Sequence, residues 1–345
     1  GPNTYTGATK VDAGVLEVVS SLYNNDVTRW TPANISVNGA AAELLLHVGG
    51  PGEFTVAQAG AMLKNISTGV NHNGLMAGAT FGLDTGKATT VQELSSTITD
   101  SKGPGGGSVM IKKCGAGTLK LSGANTYTGR TIITGGTLSV DSFNSVVKGK
   151  ASSSLGAPKT DADAEIMISG GSTLMYTGKG ETTDRNLNFP GGGDTITLDQ
   201  SGTGLLKFTD PFVMSGFAEN KTIVLAGSSP GTGELAFNID NVYDRKDNAF
   251  TSLTKSGTGT WVLSGKNTYT GPTTVTKGTL SFTNAKGLGD KTEVHLADGA
   301  TLDLNFTGEM RIGKLYLDEK LQPAGSYNAV NTPKFIKGNG ILKTQ

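Results

Sequence analysis

The chain has 345 residues, 29 Lys+Arg against 29 Asp+Glu, a formal net charge of zero and a single cysteine. A balanced charge with scattered basic residues gives no electrostatic footprint for a nucleic acid, and one thiol, Cys114, excludes an intramolecular disulfide. No apolar run reaches the roughly 18 residues that a membrane-crossing helix needs, and the 51 glycines amount to about twice the usual share.

In chain order, Gly1-Pro2 reads as the remnant of a cleaved purification tag, and Asn3 enters a repeat already under way, as a segment of a longer protein would. Asn3–Val18, NTYTGATKVDAGVLEV, is the first copy. Residues 20–99 depart from the repeat and are expected to form a lateral insertion or divergent coils. Within them Thr55–Ile66 predicts a helix capped by Thr55, with Ala57, Ala61, Met62 and Ile66 on one face. Ser101–Ser108, SKGPGGGS, is a loop. Residues 109–317 carry the main coils. They include Lys113–Val140, KCGAGTLKLSGANTYTGRTIITGGTLSV, a polar excursion over Asp141–Asp163, a charged loop over Asn238–Asn248, and Lys255–Phe282, KSGTGTWVLSGKNTYTGPTTVTKGTLSF. Residues 321–345 are expected to cap the end with a hairpin-like element, covering an otherwise open strand edge.

The second and third copies align over 28 residues without a gap. Trp261 and Leu263 alternate with Val262 and Ser264, and the same period of two resumes after the Ser264–Asn267 corner, which is a strand signature. Gly117 and Gly136 lie 19 residues apart, as do Gly259 and Gly278, a spacing of the order of one turn of a solenoid. Stacked coils would bury a continuous inner column that no coil could bury alone. The fold class is therefore all-β, a parallel β-helix or β-solenoid. Residues 3–345 are expected to form one elongated domain.

GTGTWVLSGKNTYTGPTTVTKGTLSF resembles the autotransporter-associated β-strand repeat, also called the passenger-associated transport repeat. The likeness is full at Lys113–Val140 and Lys255–Phe282 and partial at Asn3–Val18. Gly49–Thr55, Ser172–Phe189 and Leu321–Leu342 resemble segments that accompany such repeats in large bacterial surface proteins. The resemblance implies a right-handed parallel β-helix in an extracellular or surface-displayed protein, and no particular ligand. An autotransporter is expected to continue into a membrane-embedded β-barrel, and none of these residues resembles one. A passenger piece and a surface protein exported by another route both remain open.

Three functional classes fit. The first is a non-catalytic display module, a stalk or scaffold. The second is an adhesin or glycan-binding module, in which Trp30, Phe54, His72 and Phe81 of the 20–99 segment would form a side site. The third is a polysaccharide lyase or hydrolase, a chemistry that needs paired carboxylates, for which Asp194, Asp199 and Asp303 are the candidates. Tyr5, Tyr127 and Tyr269 of the recurrent Asn-Thr-Tyr-Thr-Gly read as corner residues rather than a sugar-stacking ladder. Asp240, Asp244 and Asp247 crowd oxygen ligands suited to calcium, without the spacing of a known calcium loop; no other cofactor is expected. His47 and Cys114 read as packed residues. The expected partners are a host or environmental glycan or surface protein and the flanking domains of a longer parent chain. Neither nucleic acid nor membrane insertion is expected of this segment.

Overall fold

The computed structural model describes residues 3–68, 72–191, 195–214, 219–228, 230–241 and 249–345. The chain divides into two compact units, 1–168 and 169–345. In each, short strands separated by glycine corners stack in parallel, strand over strand, as a β-solenoid.

In the first unit one sheet stacks Gly14–Val18, Ala42–His47, Thr80–Asp84, Met110–Cys114, Thr131–Ile133 and Ile166–Ile168. Register places Leu44, Phe81, Ile111, Thr131 and Ile166 one above another, beside a second column of Leu46, Leu83, Lys113, Ile133 and Ile168. Burying such branched side chains contributes roughly 1.5–3 kcal/mol each, so the columns hold the coils together. Residues 20–99 thus supply two rungs of this stack, and the helix Val56–Ile66 lies between them in sequence. Thr55 Oγ1 accepts from Gln58 N at 3.2 Å, while Gln58 Oε1 accepts from Thr55 N at 2.9 Å, a reciprocal cap. The buried face is Ala59, Met62, Leu63 and Ile66. This corrects the sequence expectation at Ala57 and Ala61, which point to solvent.

The second unit repeats the pattern. Ile196, Ile223, Leu253, Thr273, Val294 and Leu315 form one column, and Leu198, Leu225, Lys255, Val275, Leu296 and Leu317 its neighbour. A second sheet stacks Leu206, Gly233, Trp261, Leu280, Leu302 and Ile336. The last coils are closed by antiparallel pairing. Lys320–Leu321 turns back on Lys314–Leu317, and Ser326–Tyr327 pairs Ile341–Thr344. These are the terminal cap that the sequence predicts.

The 19-residue glycine spacing has a steric origin. Gly136 and Gly278 adopt φ of 61° and 72°. A methyl group at Gly136 would sit 2.4 Å from the carbonyl oxygens of Gly115 and Gly117, and one at Gly278 would sit 2.5 Å from that of Gly257. Only glycine allows both the left-handed backbone and the close stacking of corners.

Candidate functional site

Three polar side chains recur at the corners of the coils, buried in both full copies of the repeat, whereas Tyr5 of the first copy is exposed. Asn125 Oδ1 accepts from Ile98 N at 2.8 Å and its Nδ2 donates to Ser154 O at 2.7 Å. Asn267 does the same with Ile239 N, 2.9 Å, and Gly287 O, 2.7 Å. The tyrosine two residues on shares its hydroxyl proton with the threonine four residues further. Tyr5–Thr9, Tyr127–Thr131 and Tyr269–Thr273 are 2.6, 2.8 and 2.7 Å apart. Burial pushes the Tyr269 phenol above its ordinary range, partly offset by the Thr273 hydrogen bond.

Lys113 and Lys255 occupy equivalent places in the apolar columns. Lys113 Nζ donates to the carbonyls of Cys114, Gly115 and Gly135 at 2.7–2.9 Å. Lys255 Nζ donates to those of Ser256, Gly257 and Lys277 at 2.6–3.2 Å. Burial pulls each ammonium down to about 8, opposed by Cys114 and Asp84 at Lys113 and by Asp199 at Lys255. An ammonium that spends its three protons on corner carbonyls is a cross-brace between coils. Sequence reasoning passed over this lysine, although it opens both full copies of the repeat.

Trp30, Phe54 and Phe81 are at most 1% exposed. Trp30 donates its indole N–H to Leu22 O at 3.1 Å and meets Phe54 edge-on at 6.1 Å. They are core residues, and of the four expected at a side site only His72 lies at the surface. Asp240 accepts from the Thr268 hydroxyl; Asp244 and Asp247, the other calcium candidates, lie outside the described residues, as does Asp194. Asp199 accepts from Ser201, and Asp303 accepts from Ser281 Oγ at 2.7 Å. Cys114 is half-buried, and its thiol is pushed up to about 11 by burial and then by Asp84. His47 joins Glu17, 2.5 Å, and Glu53, 3.6 Å. Among the described residues no cluster of three His, Cys, Asp or Glu is placed to hold a metal.

Two adjoining concavities belong to the first unit. A cavity of about 650 Å³ is lined by residues that include Asp100, Lys102, Thr126, Thr128, Lys150 and Lys159. A second, of about 350 Å³, shares Thr99 and Lys102 with it and adds Lys64, Ser67 and Thr68. Asp100 is bound to the repeat corner: its Oδ1 accepts from Thr128 N at 2.8 Å and its Oδ2 from Thr128 Oγ1 at 2.7 Å. The loop that carries Lys150 is stapled by buried Asn144, whose Oδ1 accepts from Lys150 N at 2.6 Å and whose Nδ2 donates to Lys150 O at 2.9 Å. Lys102 is anchored through its backbone N–H to Ser67 O at 2.9 Å.

Stacked columns and recurrent corners define a β-solenoid built from one sequence unit, of the kind that forms bacterial surface passengers. That unit is the passenger-associated-transport-repeat, which matches at residues 1–18, 112–140 and 253–282, and the chain belongs to the family of surface and secreted proteins that carry it. Over 335 residues, 89% of this chain, it is 32% identical to the adhesin BmaC autotransporter of Brucella suis biovar 1 (strain 1330). It spans 9% of that protein's length. No solved structure matches the chain. It is a surface passenger module, located at the bacterial cell surface or outside the cell. No helix among the described residues is long and apolar enough to cross a membrane.

Proposed function

We propose that the chain is a non-catalytic scaffold segment of an adhesin-type surface protein, whose coils hold lateral loops in fixed positions. The observation that carries this reading is the duplicated Asn-Tyr-Lys bracing. In both full repeats the buried asparagine and lysine spend hydrogen bonds on the neighbouring coil and the tyrosine spends its own on the threonine four residues on, so these groups serve the packing of the corner. The name of the relative, an adhesin, supports a role in attachment, and the rest of a longer parent chain is the first partner this reading implies. Fold likeness alone assigns no chemistry, so the test is direct. The protein is incubated with a panel of neutral and acidic polysaccharides, with and without calcium, and new sugar ends are counted. None above the heat-denatured control is expected; release above that control would overturn the scaffold reading. An adhesive reading is favoured by one specific observation, the lysine-rimmed concavity of the first unit.

A further inference from the structure

We propose that the contiguous cavities of the first unit form a binding groove for an acidic polysaccharide, held by Lys64, Lys102, Lys150 and Lys159. Three lysines on the coils are neutralised by carboxylates on the next rung. Lys120 meets Glu93 at 3.1 Å, Lys207 meets Glu234 at 2.9 Å and Lys314 meets Glu293 at 2.8 Å. None of the four groove lysines is ion-paired among the described residues. All four are exposed. Among the described residues the lining holds one carboxylate, Asp100, and its oxygens already accept from Thr128 and from Val109 N. Four cations without ion pairs around two adjoining concavities, against the one carboxylate of Asp100, make a local positive field on a chain of zero net charge.

The remaining lining specifies the class of anion. Among the described residues it contains no aromatic ring and no arginine, so these residues offer neither the stacking platforms that single-stranded nucleic acid uses nor the planar forks that favour bidentate phosphate. It offers threonine and serine hydroxyls beside the lysines, which suit a ligand rich in hydroxyls and carrying spaced carboxylates or sulfates.

The placement of the groove separates it from the scaffold. The equivalent corner of the second unit repeats the hydrogen bonds, with Thr270 N donating to Asn241 Oδ1 at 2.9 Å. Its cavity, about 260 Å³, is lined by Pro211, Phe212, Met214 and Asn238–Asn241, with no lysine among the described residues. The groove is made where the chain leaves the repeat, by the loop after Asp100, the excursion around Lys150 and Lys159, and the end of the helix.

The test uses the whole chain immobilised on a sensor at low salt. Polygalacturonate supplies uronate carboxylates, heparin adds sulfates, dextran is the neutral control and oligo(dT) the nucleic-acid control. At least one acidic polysaccharide is expected to bind, and its affinity should fall as NaCl is raised to 0.5 M. The variant Lys64→Gln/Lys102→Gln/Lys150→Gln/Lys159→Gln should weaken it by about tenfold or more, the combined loss of four exposed charge contacts. A variant with the same charge change elsewhere, Lys10→Gln/Lys320→Gln/Lys337→Gln/Lys343→Gln, should bind as the parent does. Both should melt with the parent. The proposal falls if neither acidic polymer binds, if dextran or oligo(dT) binds as tightly, or if the groove variant binds like the parent. Failure of any of these leaves the scaffold reading untouched, because that reading is decided by turnover.

Discussion

Replacing Asn267 with Ala tests whether the recurrent asparagine is the corner's main tie. In the native corner its amide satisfies Ile239 N–H at 2.9 Å and Gly287 C=O at 2.7 Å, and the side chain is 4% exposed. Alanine leaves both backbone groups buried without partners. Each orphaned group costs about 1–3 kcal/mol, and the space vacated by the amide adds a cavity cost. A local destabilisation of about 3 kcal/mol follows, equivalent to a roughly hundredfold larger opening equilibrium constant. Because the chain has two units, a single unfolding free energy is a poor measure, and hydrogen exchange read peptide by peptide is the suitable assay. The peptide containing Ile239 should lose about two decades of protection, while that containing Ile98, tied by Asn125 in the other unit, should keep its own. Asn267→Asp is the sharper control, since it keeps the acceptor for Ile239 but sets a carboxylate oxygen against the Gly287 carbonyl. Protection at Ile239 within threefold of the parent in Asn267→Ala would refute the argument.

Lys255 titrates near 8 when folded and near 10.4 when unfolded. Between those values only the unfolded chain holds the proton, so Lys255 makes stability rise with pH over that window, from a deficit complete below pH 8. Lys255→Met should remove that part of the slope in urea midpoints measured from pH 7.5 to 10; an unchanged slope would contradict it. At Cys114, a thiol pushed up from 9.0 to about 11 holds about a hundredfold less thiolate at pH 8. Iodoacetamide should therefore label the native protein at least that much more slowly than the urea-unfolded chain, and equal rates would contradict the assignment. Gly233 faces Trp261 across the rungs, and an added methyl would meet the indole at 2.5 Å. Gly233→Ala should cost about 1–3 kcal/mol by overpacking and shift Trp261 fluorescence, whereas an unaltered melting temperature and spectrum would show that the sheet yields freely.

What was legible in the sequence was what recurs. The alternation around Trp261, the glycine spacing and the Asn-Thr-Tyr-Thr-Gly corner each reappear as the same bonds in both units, because identical residues at identical spacing meet identical neighbours in a stack. The aromatic residues of 20–99 were misplaced for the opposite reason. That segment lacks the repeat's letters, yet Leu44 and Phe81 still stack in register with Ile111, so Phe81 went to the core, and Trp30 and Phe54 are buried edge-on against each other rather than on a side surface. Register with the rung below, not sequence likeness, decides which way a side chain faces.

The groove was illegible for a further reason. Lys64, Lys102, Lys150 and Lys159 stand on three separate departures from the repeat, and nothing in the local sequence of any one of them points to the others. Their proximity is set by the coils between them, which fix how far each loop is carried around and along the stack. The repeat therefore determines where a site can be without supplying its residues. In a solenoid of this kind the bracing residues are duplicated with the unit, and a binding surface is found where the copies stop agreeing. That gives a specific expectation for the two corners: the Asn125 and Asn267 substitutions should have matching effects on stability, and removing the groove lysines should affect ligand binding alone.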